Sequence, residues 1–165
     1  MKIARRITPY LWFETQAEEA AHYYTTIFNN SRVGRKTYYG KDNRRFPEGT
    51  VMTVEFELDG QPFIALNGGP QYKFTEAVSF VVQCEDQAEI DYYWDKLSEG
   101  GDEKAQVCGW LKDKFGVSWQ VVPANLTEMI TDPDPEKSER VMNALLRTEK
   151  KINLQSLLQA YEGRS

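Results

Sequence analysis

Residues 16–28 read QAEEAAHYYTTIF, and residues 87–98 read QAEIDYYWDKLS. Both open on Gln-Ala-Glu, and both carry adjacent aromatic residues further on, Tyr23-Tyr24 in the first and Tyr93-Trp94 in the second. Apolar positions recur at helical spacing in each. Ala20, Ala21, Tyr24, Ile27 and Phe28 form one stripe, and Ile90, Tyr93, Trp94 and Leu97 form another. A helix with a single apolar stripe has to lay it on a partner, and the flanking sequence supplies one each time. Residues 7–13 and 77–84 precede the two helices as runs of branched and aromatic residues, which predicts strands. Strand-like runs follow the first helix at 32–39, 50–58 and 62–67, with Asp59-Gly60 as a tight hairpin turn between the last two. Strands at 106–112 and 118–122 follow the second helix. The order strand, helix, run of strands therefore occurs twice at an offset of about 70 residues, the mark of a duplicated unit. The second copy is one strand short by pattern, and residues 103–105 are where a ragged remnant of it would fall.

Beyond Pro123 the pattern is helical. Asn125 and Glu128 have capping-box spacing, Asp134-Pro135 sets a cap followed by proline at the first helical position, and Asn153 caps a last helix with Ile152 stapled to Leu157. That helix carries Leu154, Leu157, Leu158 and Tyr161 on one stripe, which either the chain's own sheet or a second subunit must cover. The expected organisation is a first module over 1–69, a linker over 70–76, a second module over 77–123 and a helical tail over 124–165, all in one compact domain.

Composition narrows the function. The formal net charge of -5 argues against a nucleic-acid partner. The small basic cluster Lys41, Arg44 and Arg45 reads as a solvated loop ahead of a contact to an anionic ligand. No apolar run approaches the ~18 residues of a membrane span, and the N-terminal residues lead into the first strand pattern without a signal peptide. The two cysteines, Cys84 and Cys108, form no CxxC pair, so free thiols in a reducing cytoplasm are expected.

Three stretches carry a family resemblance: ITPYLWF at 7–13, ALNGGP at 65–70 followed by Phe74 and Glu76, and CGWLKDKFGVSWQVVP at 108–123. With them the chain resembles the PhnB-like branch of the glyoxalase/bleomycin-resistance (vicinal-oxygen-chelate) superfamily, along most of its length and into the helical tail. The resemblance implies an α+β fold of two βαβββ modules, each curling a sheet around a ligand cavity, with the helical tail as an extension, and it favours a homodimer. Domains of this branch often bear the label 3-demethylubiquinone-9 3-methyltransferase. The residues do not suit that chemistry. The first strand runs out in Phe13-Glu14-Thr15-Gln16 without the glycine-rich turn of a Rossmann-type cofactor site, and Gly68-Gly69 precedes Pro70 and opens no helix. No cofactor is expected.

The same resemblance places the superfamily's metal ligands on or beside Pro9, near Ala65 or Asn67, on or near Ser79, and on Gln120. The first three positions offer neither imidazole nor carboxylate, and one amide does not hold a divalent ion. No metal is expected. The sole histidine, His22, falls off the apolar stripe of its helix and reads as a surface residue.

Alternation then defines a candidate pocket wall. Asp113-Lys114-Phe115-Gly116 suits a type I turn closed by a left-handed glycine. This pairs Asp113 with Val117, Lys112 with Ser118 and Trp110 with Gln120. Cys108, Trp110, Ser118, Gln120 and Val122 then share one face, with Trp119 and Val121 on the other against a helix. The predicted ligand-lining residues are Trp110, Gln120, Cys108 and Ser118, joined through the resemblance by Ser79 and Asn67. A flat aromatic surface with a few polar anchors suits a small molecule. Glu55 and Glu57 share one face of their strand and could act in acid–base chemistry. Three functions stay open: binding of a small molecule without turnover, a metal-independent isomerase or lyase using Glu55 or another carboxylate as base, and an interaction module with a vestigial pocket.

Overall fold

A computed structural model describes residues 6–164; residues 1–5, part of the segment expected to lead into the first strand, lie outside them. The chain divides into two compact units between Phe74 and Thr75.

In the first unit β1 (Tyr10–Phe13) is followed by α1 (Ala17–Ile27), β2 (Arg32–Tyr38), β3 (Val51–Leu58) and β4 (Gln61–Asn67). The sheet order is β1-β4-β3-β2, with β1 parallel to β4 and the other neighbours antiparallel. β1 is shorter than the 7–13 pattern predicts. Pro9 lends its carbonyl to the Ile64 N–H at 3.0 Å but has no N–H to give, so the ladder begins at Tyr10. Ala20, Ala21, Tyr24 and Ile27 of α1 are buried, as the stripe predicts, and Ala17 with them, while Phe28, just past the helix, is half-buried; Tyr24 stacks on Phe56, which stacks on Phe63. Alternation along β3 buries Val54, Phe56 and Leu58 and leaves Thr53, Glu55 and Glu57 on the open face. Asp59 and Gly60 both adopt positive φ, 48° and 73°, as the predicted hairpin turn requires.

The second unit contains β5 (Ser79–Cys84), α2 (Gln87–Ser98), β6 (Trp110–Lys112) and β7 (Ser118–Pro123), with sheet order β5-β7-β6. Ile90, Trp94 and Leu97 of α2 are buried, and α2 packs on this sheet, where Val82, Leu111, Trp119 and Val121 are also buried. The extra strand is absent among the described residues: Glu103–Ala105 forms a 3-10 turn.

The predicted strand over 106–112 is broken. Cys108 and Gly109 take φ of 51° and 83°, and Val107 and Trp110 exchange both backbone hydrogen bonds, at 2.8 and 3.1 Å. This is a two-residue hairpin of the type that needs positive φ at both central positions, so β6 starts only at Trp110.

The tail comprises α3 (Leu126–Ile130), α4 (Pro135–Leu146) and α5 (Leu154–Glu162). Asp134 caps α4 and Asn153 caps α5 through their side chains, as predicted. Asn125 makes no side-chain cap, and α3 ends after five residues, so the expected capping box does not form. The stripe on α5 finds its cover within this unit. Leu157 joins Val122, Leu126, Met129, Val141 and Ile152 in one buried cluster, with Tyr161 packed at its margin. Of the stripe that motivated a homodimer, Leu157 is therefore buried and Leu154 and Tyr161 are half-buried, while Leu158 stays 37% exposed. The chain after α4 also returns to the Cys108-Gly109 turn. Thr148 and Lys150 accept hydrogen bonds from the Cys108 and Gly109 N–H groups at 3.0 and 2.8 Å, which ties the tail to the start of β6.

Candidate functional site

The hairpin from β6 to β7 forms in the predicted register. The Asp113 N–H donates to Val117 at 2.9 Å, the Gly116 N–H donates to Asp113 at 2.9 Å, and Gly116 has φ of 91°. Trp110 lies opposite Gln120 and Lys112 opposite Ser118. The sequence reading missed what Asp113 does besides turning. It is 2% exposed, and its carboxylate accepts from the Phe115 N–H at 2.9 Å, the Val117 N–H at 3.0 Å and the Trp119 indole N–H at 2.9 Å. One buried anion closes the turn and fixes the indole on the helix side of the sheet.

The opposite face carries the candidate site. Parallel pairing sets Ser79 beside Ser118 and Val81 beside Gln120. The Gln120 amide donates to the Ser79 hydroxyl at 2.8 Å. Trp110, Gln120 and Ser79 are half-buried and Val81 is exposed, so this strip faces outward from the sheet. Ser118 stands on the same side by register but is buried, and its hydroxyl has no hydrogen-bond partner among the described residues. Lys112, next to it, pairs with Glu76, whose carboxyl is held below the ordinary range by the hydrogen bond from Lys112.

Two predicted site residues stand elsewhere. Cys108 sits in the new turn rather than on the strand face, and its thiol faces the Leu146 carbonyl at 3.6 Å. Asn67 is 4% exposed and falls, with Ala65, on the helix-covered face of β4. Its Oδ1 accepts from the Ala17 N–H at 2.8 Å and its amide donates to Val51 at 3.0 Å, while its backbone carbonyl accepts from the Tyr39 hydroxyl at 2.5 Å. Asn67 thus supplies the cap that Gln16 does not give α1. The open-face residues of β4 are Pro62, Ile64 and Leu66.

The positions implied for a divalent ion can be compared with this geometry. They hold Pro9, Ala65 or Asn67, Ser79 and Gln120; Ala65 and Asn67 lie on the helix-covered face of β4, and its open face offers only the apolar Ile64 and Leu66 nearby. Among the described residues no three His, Cys, Asp or Glu converge on a point. Taken unit by unit, neither Pro9 with Ala65 and Asn67 nor Ser79 with Gln120 offers the imidazole or carboxylate donors that suit a divalent cation. The glycine pair has another task. A Cβ on Gly68 would lie 2.3 Å from the Trp12 indole, whose N–H donates to the Gly69 carbonyl at 2.8 Å. Gly68-Gly69 makes room for an indole ring rather than for a cofactor.

Glu55 and Glu57 do share the open face of β3, but each is engaged. Arg35 donates through Nε and Nη2 to both oxygens of Glu55, at 3.1 and 3.0 Å, and Arg32 does the same to Glu57, at 3.0 Å for each bond. Both arginines are held above their ordinary pKa, first by their hydrogen bonds to these glutamates and then by the glutamates' charge. Glu55 is therefore an arginine partner rather than a free base. His22 is exposed, as predicted, and the loop carrying Lys41, Arg44 and Arg45 is solvated. The buried Cys84 thiol is pushed up to about 12 by burial, reinforced by Glu89 and Asp86.

A four-stranded sheet under one helix, and a second sheet repeating the strand–helix order, define the glyoxalase/bleomycin-resistance fold. The chain belongs to the family described as 3-demethylubiquinone-9 3-methyltransferase, whose model matches residues 5–122 and so stops short of the helical tail. It is similar to a PhnB protein from Bacillus cereus that bears the same label, with 36% identity over 72% of this chain and 99% of that one and a TM-score of 0.62. A Pseudomonas aeruginosa protein at 20% identity shares the fold over 73% of this chain and 98% of its own, with a TM-score of 0.60. The fosfomycin resistance protein FosX from Mesorhizobium loti does so at 15% identity, over 77% of this chain and 97% of its own, with a TM-score of 0.51. No curated protein matches the chain.

Proposed function

We propose that this is a small-molecule-binding protein that holds a planar, neutral ligand on the open face of its second sheet, without a divalent metal ion or a cofactor. One observation carries the reading: the half-buried Gln120 amide is fixed on Ser79 at 2.8 Å, with Trp110 paired across from it. The bond to Ser79 uses one amide proton. Gln120 Oε1 remains as an acceptor, and the Ser79 hydroxyl remains as a donor. A buried hydroxyl at Ser118 adds a group that a ligand could satisfy. A flat indole beside a fixed donor and acceptor suits an aromatic ring carrying a carbonyl or amide. The methyltransferase label finds no support in the site, because the β1–α1 turn lacks glycine and Gly68-Gly69 is occupied by Trp12.

A soluble cytoplasmic location belongs to this reading through the two free thiols. No helix among the described residues is long and apolar enough to cross a membrane. A homodimer is retained on the family likeness, since the α5 stripe no longer argues for it.

The test uses benzamide and a panel of planar aromatic amides, titrated by ligand-observed NMR. Gln120→Ala should leave the circular dichroism spectrum unchanged and cost about 0.5–1.5 kcal/mol of binding free energy. Trp110→Ala should weaken binding further. Binding that is unaffected by either substitution, or no binding by any member of the panel, would overturn the proposal.

A further inference from the structure

Strand β2 contains an irregularity that the proposed site does not use. Pairing with β3 runs Arg32↔Glu57 and Val33↔Phe56, then resumes at Lys36↔Val54. Gly34 and Arg35 together oppose Glu55, which is a β-bulge. In a regular strand Arg32, Gly34 and Lys36 would share a face and Arg35 would point the other way. The extra residue reverses this beyond Val33. Lys36 turns to the helix side and pairs with Glu18 of α1, while Arg35 joins Arg32 on the open face. Glycine suits the bulge, because a Cβ at Gly34 would press against Glu55 at 3.2 Å.

The two arginines stand over a groove of about 530 Å³, whose lining includes Thr8, Pro62, Phe63 and Ile64. That volume falls in the range of ligand pockets. Each guanidinium is gripped side-on through Nε and Nη2, and among the described residues Nη1 of each takes no partner. The glutamates therefore hold the forks in place while the outer ends, Nη1 with the second Nη2 proton, remain free to donate. A fork held in this way gives two parallel charge-assisted hydrogen bonds to a planar or tetrahedral oxyanion. Beside it runs the apolar strip of Pro62 and Ile64.

We infer that this groove binds an amphiphile with an anionic head, a carboxylate or a phosphate ester, placing the head on the free ends of Arg32 and Arg35 and the apolar tail along Pro62 and Ile64. The inference rests on the first unit and stands apart from the Trp110–Gln120 reading.

Octanoate, octyl phosphate and the neutral octyl glucoside serve as probes, titrated into the full chain below their micelle concentrations. Both anions, or one of them, should bind saturably, with the glucoside weaker by about tenfold or more, and the tighter anion identifies the head group. Arg35→Gln should reduce anion binding by about tenfold or more and leave the glucoside unchanged. Lys73→Gln removes an exposed cation outside the groove and should bind as wild type does. Equal affinity for the glucoside, an Arg35→Gln variant that binds octanoate and octyl phosphate normally, or no saturable binding of either anion would overturn the proposal. None of these results depends on whether benzamide binds beside Trp110.

Discussion

Replacing Asp113 with alanine removes the acceptor of three hydrogen bonds at once. The Phe115 N–H is part-buried and water can take it up. The Val117 N–H and the Trp119 indole N–H lose this acceptor in buried surroundings. Each such orphan costs about 1–3 kcal/mol, so the loss from the two should be about 2–6 kcal/mol. For a chain of this size about 1 kcal/mol corresponds to 2–4 °C, so the melting temperature should fall by roughly 4–24 °C. A second substitution, Asp113→Asn, separates the two roles of the side chain. It keeps an oxygen for Phe115 and Val117 but turns an amide N–H2 toward the indole N–H. It should therefore cost only the charged bond to Trp119, about 1.5–3 kcal/mol. Calorimetric melting of the wild type and both variants gives the order. An Asp113→Asn variant as unstable as Asp113→Ala, or an alanine variant within about 0.5 kcal/mol of wild type, would refute the reasoning, because changes that small are ordinary for surface positions.

Three further outcomes follow from the same geometry. Gly68→Ala forces a methyl into the Trp12 ring and strains its hydrogen bond to Gly69, so chemical denaturation should show a loss of about 2–4 kcal/mol. Iodoacetamide at about pH 8 should alkylate half-exposed Cys108 and spare Cys84, whose thiol is buried and held at about 12, until the protein unfolds; mass spectrometry of the digested protein reads this directly. Tyr161 donates to Asp132 at 2.5 Å, and this hydrogen bond raises the tyrosine pKa and lowers that of the acid. Asp132 is depressed, so its contribution is present above the usual carboxylate range and is lost as pH falls through its folded value. Tyr161 is raised, so its contribution is present below about pH 10 and is lost as pH rises through its folded value. Asp132→Asn should bring Tyr161 back toward its ordinary range in an NMR titration of the ring.

Much of the fold is legible because alternation and helical spacing are local and strict. The turn at Asp113–Gly116 sets the register, and the register sets Trp110 opposite Gln120. Where the reading departed from the structure, a single residue changed the parity. Gly109 inside a strand-like run was a visible warning of a turn, but Cys108 beside it is an unusual residue for positive φ, and the pair moved the thiol off the sheet face. Gly34 carried the same warning, and the bulge there moved Arg35 onto the face of Arg32. Asn67 was one position out of phase, which for a strand means the opposite face. The cover of the α5 stripe was legible only in part, through the Ile152 staple and the chain's own sheet as one of two alternatives. An amphipathic helix reports that it needs a partner, and the identity of that partner is a long-range fact: here Val122, Val141 and Ile152 of the same unit.

The central claim is that a planar ligand lies against Trp110 and is held through Gln120 without a metal. The most direct measurement is a two-dimensional NMR titration of isotope-labelled protein with benzamide, carried out in the presence of a chelator. The Trp110 indole N–H and the Gln120 side-chain amide should shift together in one saturable process. The Trp12 and Trp119 indole signals, held by Gly69 and Asp113, should stay in place. Trp110 and Gln120 signals that do not move at saturating benzamide, or that move only when zinc, nickel or manganese is supplied, would contradict the account.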